Sequence, residues 1–433
     1  MEQEGKVEKI ITRIVIVILL AFLLSIIVVA ILIKAGRTEL FRMDHSIETK
    51  VYEIGKEDNV LRKVSKGYSN AVYAAKNYTD AYSNDLLLGR RKIVETEVRY
   101  KNLIGFKIYA PGEYNSLLYL EDGYLASANP KESPEDIQKI ATKIKGLSDT
   151  AKEAGATFFY MQTPGNIDKY GDPEINQVQD FANYNADLLV EDLKAYGIDC
   201  LDIRDNMHVA FDDYRSLFFR TDHHWRQPVA LWATNELCAY MQEQYGFTYD
   251  ASYYDPDQYE VEVLPEHYLG SLGRKATLAE TMPDDFELMH PKFETDMELC
   301  LDKKGPFAEK YEQEGSWEIL YDREEMEYDD IYWRECYLAL LAFYGTGKAS
   351  VKNVLADNET TIAIVGDSLC IPVTAFLALN AKKVVLIDPR YFDGSIKDYI
   401  LKTKPDFVIS SYSTTIIQDY YPIFDFDKQH EKQ

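Results

Sequence analysis

The chain has 433 residues, 46% of them hydrophobic and 27% charged, which is the make-up of a folded protein rather than a disordered one. Its formal charge of −25, with no Lys/Arg cluster long enough to offset it, argues against nucleic acid as a partner and against adsorption to an anionic lipid surface. The five cysteines (Cys200, Cys238, Cys300, Cys336 and Cys370) contain no CxxC spacing, so nothing supports a zinc ribbon or a thioredoxin-type site, and at most one or two disulfides are expected.

In chain order, the first element is Ile14–Ile33, twenty residues without charge, Pro or Gly. That length of helix crosses a bilayer core. A signal peptide would be shorter and would end in a small-x-small cleavage site, and none follows closely. The expected organisation is a short cytoplasmic tail (1–13), a retained single-pass membrane anchor (14–33) and the remainder of the chain outside the cell. The charges that flank the span (Lys6, Lys9 and Arg13 before it, Lys34 and Arg37 after it) orient it only weakly. Residues 34–105 are polar and helix-compatible, and read as a juxtamembrane stalk or cap.

From about residue 117 the pattern alternates. Ser133-Pro134-Glu135-Asp136 is a helix start, with an N-cap Ser, Pro at the first position and acids in the first turn. Ile137, Ile140, Ile144 and Leu147 then recur at helical spacing. Thr157–Gln162 is a short buried strand, followed by a helix over Asn176–Tyr196 and a strand over Asp199–Ile203. Three later apolar runs, Thr361–Val365, Val384–Ile387 and Phe407–Ile409, are short, rich in β-branched residues and separated by helix-length segments. This predicts an α/β domain over 106–433, with a parallel sheet flanked by helices and its functional residues at the carboxyl ends of the strands. The stretch from about 280 to 345 is strongly acidic and reads as a solvated insertion.

Two segments carry candidate chemistry. Val365-Gly366-Asp367-Ser368 lies between a strand and a helix expected over Ile371–Leu379, with Gly366 permitting a tight turn. Ser368 would then sit at the mouth of the sheet, near helix N–H groups that favour developing negative charge. The other is Arg220-Thr221-Asp222-His223-His224-Trp225, ahead of a helix over Pro228–Tyr240. Only seven histidines occur in the chain, and two stand here beside an aspartate. A serine nucleophile needs a base near neutral pKa, and the base needs a group to fix its tautomer. In an extended segment Asp222 and His224 point the same way, whereas His223 diverges with Trp225 into structural support. That divergence, with no third ligand clustered nearby, also argues against a metal site.

Together the two segments resemble a known family. Asp222-His223-His224-Trp225 is the signature of the DHHW proteins, relatives of the alginate O-acetyltransferases that have an SGNH-hydrolase-like fold. The similarity runs over about 117–415 and includes Asp122-Gly123-Tyr124-Leu125, Leu269-Gly270-Ser271-Leu272-Gly273 and Ile387-Asp388-Pro389-Arg390-Tyr391. The resemblance implies Ser368 as nucleophile, His224 as base and Asp222 as its orienting partner, in an order permuted from ordinary SGNH hydrolases. It places Arg390 where relatives carry a site arginine, so that Arg390 would bind a sugar or an oxyanion, a structural salt bridge being the alternative. The Gly and Asn blocks that supply the oxyanion hole of ordinary SGNH hydrolases are missing, which leaves the Ser368 N–H as the one donor to name.

The function expected is O-acylation, most simply O-acetylation, of a cell-envelope or secreted polysaccharide through an acyl-serine intermediate, without a cofactor. A surface carbohydrate esterase and a non-catalytic envelope assembly factor are the alternatives. Because acetyl donors such as acetyl-CoA are cytoplasmic, transfer outside would need a membrane-embedded partner to pass the acyl group across.

Overall fold

The computed structural model describes residues 116–427 apart from 172–173, 176–177, 304–310, 344–345 and 419–421, together with a few residues between 95 and 109. The expected tail and membrane span lie outside the described residues, as does nearly all of the expected stalk. Among the described residues no helix is long and apolar enough to cross a membrane.

Near the start of the described fold the short strand Ile108–Tyr109 pairs antiparallel with β1 (Ser116–Tyr119), which forms a hairpin with β2 (Leu125–Ala128). Its turn needs left-handed backbone at Asp122 (φ 57°) and Gly123 (φ 80°), conformations that Gly and Asp tolerate best. Helix α1 (Pro134–Glu153) starts where its cap dictates, the Ser133 hydroxyl accepting the Asp136 N–H, and buries Ile137, Ile140, Ile144 and Leu147. Strand β3 is Thr157–Thr163 and helix α2 is Ala182–Ala195. The helix starts later than its periodicity suggested. Glu174–Ile175 and Val178–Gln179 pair as a short hairpin instead, and the Asp180 carboxylate ties the chain to the Asn129 and Ala182 N–H groups. Then follow β4 (Cys200–Asp202), α3 (Ile203–Ala210) and α4 (Gln227–Tyr245), which Gly246 ends in the left-handed conformation.

Strands β5 (Tyr259–Tyr268) and β6 (Asp284–Pro291) pair with each other, with the short helix α5 (Ser271–Ala276) between them in sequence. The chain continues through β7 (Met297–Lys303), β8 (Tyr311–Gly315), β9 (Thr346–Asn353) and β10 (Thr361–Gly366). It closes with α6 (Cys370–Leu377), β11 (Lys383–Ile387), α7 (Ile396–Thr403) and β12 (Phe407–Ser413). The main sheet has eight strands in the order β8-β7-β9-β11-β10-β12-β3-β4. The run from β11 to β4 is parallel, as the sequence suggested, whereas β9, β7 and β8 add to it antiparallel.

Helices cover both faces because successive side chains point to opposite sides. Phe158, Tyr160, Ala363, Val365 and Val408 pack with α1, α2 and α7, while Phe159, Met161, Ile362, Ile364 and Ile409 pack with α4 and α6. The acidic stretch at about 280–345 is no solvated appendage. It supplies β6, β7 and β8, and buries Met297, Leu299 and Leu301 between exposed or half-exposed neighbours. Truncating Leu299 to Ala should therefore cost about 2–5 kcal/mol in urea unfolding, the range for a core leucine, where a solvated loop would lose less than about 0.5.

Candidate active site

Ser368 follows the carboxyl end of β10, in the turn that leads into α6. Buried Asp367 shapes this turn, its carboxylate accepting the N–H groups of Leu369 (3.0 Å) and Ser413 (2.7 Å) and so joining β10 to β12. Gly366 is required for a different reason than expected. Its φ is not positive, but a Cβ there would collide with the Ser411 carbonyl and sit 3.0 Å from the Cys370 sulfur.

The Asp222–His224 segment is a tight turn rather than an extended strand. It is closed by a bridge between Phe218 and Trp225 and by the Phe219 N–H donating to the His224 carbonyl. Buried Asp284, at the start of β6, clamps it from below. Its carboxylate accepts the N–H groups of Arg220 and Thr221 (2.9 Å each) and the Thr221 hydroxyl (2.6 Å). Trp225 is wholly buried in the core.

The two segments meet. His224 lies between Asp222 and Ser368, with Nδ1 2.9 Å from Asp222 Oδ2 and Nε2 2.7 Å from Ser368 Oγ. His223 does not diverge, because the turn folds its ring to 4.1 Å from that of His224 and its Nδ1 to 2.9 Å from Asp222 Oδ1. The Asp222 carboxylate also accepts the hydroxyls of Tyr268 and Ser271 (2.9 Å for Ser271) and the His223 N–H (2.8 Å). On its other side the His224 ring stacks on Tyr337, with centroids 3.9 Å apart and planes 19° from parallel.

Burial alone would raise the Asp222 carboxyl, but the two imidazoles and their hydrogen bonds hold it well below the usual carboxylate range. Burial lowers the His224 imidazole to about 4, His223 adding to that and Asp222 opposing it. Near neutrality the pair is therefore a carboxylate beside a neutral imidazole, the state in which Nε2 can accept a proton from the Ser368 hydroxyl.

Sequence reasoning missed Tyr268, Ser271, Asp284 and Tyr337. Tyr268 precedes the Leu269–Gly273 motif and Ser271 lies within it, and its glycines now have a physical reason. A Cβ on Gly270 would lie 2.7 Å from both Asp222 Cγ and the Thr221 carbonyl, and one on Gly273 would lie 2.7 Å from Thr221 Cβ. Leu125, in the Asp122–Leu125 motif, donates its N–H to the Arg220 carbonyl and accepts from the Asn166 amide, which props the same turn. Tyr337 comes from the acidic stretch, where nothing local distinguishes it.

Arg390 follows β11 and forks onto buried Asp388 (2.6 Å from Nη2 to Oδ2), the salt bridge named as its alternative role. Among the described residues, only Asp222, His223 and His224 bring three metal-ligating side chains within 4.8 Å of one another. A metal fits them poorly, because the Asp222 oxygens already take five contacts from donors and rings around them. All five cysteines are free thiols, and burial raises those of Cys200, Cys238 and Cys336 to about 12, which leaves them weak nucleophiles.

Residues 118–298 match the family described as SGNH hydrolase-like domain, acetyltransferase AlgX. The matched stretch holds Asp222 and His224 and ends before Ser368. The fold agrees with solved structures. PatB1 of Bacillus cereus with a sulfonyl adduct aligns at TM-score 0.58 and 18% identity, over 72% of this chain and 98% of that one. A DHHW family protein from Eubacterium siraeum aligns at TM-score 0.54 and 14% identity, over 72% of this chain and 95% of that one. No curated protein matches the chain in sequence.

Gly270→Ala should push Asp222 out of place and lower stability by about 1–3 kcal/mol in urea unfolding, the usual cost of overpacking. Histidine NMR should find His224 titrating near pH 4 rather than its ordinary 6.5. Because the folded value lies below the unfolded one, the contribution of this group to stability is complete above about pH 6.5 and is lost as pH falls toward 4.

Proposed function

We propose that this chain is an extracytoplasmic serine-dependent O-acyltransferase that acetylates a cell-envelope or secreted polysaccharide. The observation that carries the proposal is the placement of His224 Nε2 2.7 Å from Ser368 Oγ while its Nδ1 meets buried Asp222 at 2.9 Å. The match over 118–298 to a domain described as belonging to an acetyltransferase supports the choice of chemistry. The apolar run Ile14–Ile33 supports a membrane anchor with the domain outside.

In this mechanism the Ser368 hydroxyl gives its proton to His224 Nε2 as Oγ attacks the carbonyl of an acyl donor. The tetrahedral oxyanion is held by the Ser368 N–H beside the start of α6. When the bond from carbonyl carbon to leaving group breaks, His224 returns the proton to the leaving group and acyl-Ser368 remains. A sugar hydroxyl then enters, loses its proton to His224, and takes the acyl group as Ser368 Oγ recovers a proton. Asp222 holds the imidazole in the tautomer that this requires, Tyr337 holds its plane, and Arg390 on its Asp388 strut adds positive potential at the site for an oxyanion or a sugar oxygen. A membrane-embedded partner would deliver the acyl group to this side.

The test mixes the chain with an activated acetyl ester. Wild type should show a burst, with one acetyl mass added to the peptide carrying Ser368, and Ser368→Ala should lose several orders of magnitude in rate. A sulfonyl fluoride, the reagent class that fits the adduct named for PatB1, should block the same peptide. An oligosaccharide acceptor should accelerate turnover and become acetylated; release to water alone would make the protein an esterase. Equal inertness of folded wild type and variant would sink the catalytic reading in favour of an assembly factor.

A further inference from the structure

A cavity of about 280 Å³ opens at the end of the main sheet opposite to Ser368. Its floor includes Asn353, where β9 ends, and Asn380, just before β11 begins, whereas Ser368 follows the far end of β10. A strand of that length separates the two by about 20 Å at roughly 3.3 Å per residue. Nothing in the proposed acyl transfer uses this cavity.

Its lining has a definite chemistry. Half-buried Tyr253 and Phe293 form one wall, with ring centroids 4.9 Å apart and planes inclined by 47°, and half-buried Tyr249 stands beside them. All three are backed by the core, so each ring keeps a firm position with one part open. The rim carries three exposed carboxylates, Asp250, Glu294 and Asp357, and no Lys or Arg lines the cavity.

The walls are also braced. The Asn380 side chain accepts the Asp250 N–H at 2.7 Å and donates to the Tyr254 hydroxyl at 3.1 Å. The Asn353 amide donates to the carbonyls of Ala378 and Leu379 at 3.1 and 3.2 Å. The Asn358 amide donates to the Asn380 carbonyl at 3.0 Å, fixing the loop that carries Asp357. A site held in this way loses little freedom when a ligand enters.

Aromatic rings offer a face to the C–H groups of a sugar ring, and carboxylates accept its hydroxyls. The acidic rim, without a cation, repels phosphates, nucleotides and uronic acids. A divalent cation is disfavoured as the occupant, because these three acids do not form a group with ligand atoms close enough to share an ion. We propose that this cavity is a second carbohydrate-binding site that takes an uncharged sugar unit, holding a glycan chain at the end of the domain away from Ser368. The proposal stands on the cavity alone and does not depend on acyl transfer at Ser368.

The test uses the full chain in detergent as Ser368→Ala, so that binding is read without turnover. Calorimetry with cello-, chito- and manno-oligosaccharides should show saturable binding by at least one, and oligogalacturonate should bind at least tenfold more weakly. Tyr253→Ala and Asp357→Ala should each weaken the neutral ligand at least tenfold, and neither should alter acetyl labelling when Ser368 is present. Asp357 is exposed, so its loss spares the fold and separates a lost ligand contact from unfolding. Absence of saturable binding to all three neutral series would overturn the proposal. So would binding that persists undiminished in both variants, or binding that prefers the anionic oligomer.

Discussion

A buried carboxylate governs the architecture around the site. Asp222 is almost wholly withdrawn from solvent, and an ionised group in that position is tolerated only when its oxygens are fully engaged. The turn at 220–224, the Tyr268 and Ser271 hydroxyls and both imidazoles are arranged to engage them. The close approach that this demands leaves no room for a side chain at Gly270, and the turn itself is anchored by a second buried carboxylate, Asp284, which takes up the N–H groups that the turn would otherwise leave unpaired.

The same packing sets the electrical state of the pair. Burial disfavours charge on His224 while the surrounding donors favour it on Asp222, so one neutral and one ionised partner stand side by side. Tyr337 closes the back of the imidazole. The β5–β6 pair and the acidic stretch therefore serve the site directly. They extend the sheet, cover the core and place Tyr268, Asp284 and Tyr337 against residues distant from them in sequence.

The main sheet also separates two kinds of surface. At the carboxyl ends of its parallel strands lie Ser368, Asp388 and Arg390, with His224 reaching in from the turn. At the other end, asparagine side chains staple loops around an aromatic and acidic hollow. A single rigid platform holds both, so each is positioned by strands and by buried amides rather than by long loops.

What the sequence determined by itself was local. The Ser133 cap, the isoleucine spacing of α1, the β-branched runs and the strand-turn-helix around Ser368 are each written within a few adjacent residues, because capping and side-chain periodicity act over one or two turns. The Asp222-His223-His224-Trp225 motif is also a run of adjacent residues, although the extended backbone expected for it is a tight turn. Met297, Leu299 and Leu301 alternate with polar neighbours in a strand pattern too, but the acidity around them concealed it. Tertiary structure decided the rest: that three antiparallel strands extend the parallel sheet, that His223 turns back toward Asp222, and that Tyr268, Asp284 and Tyr337 complete the site. Those outcomes depend on which distant surfaces bury one another, and a buried charge finds its partners only once the chain has closed around it.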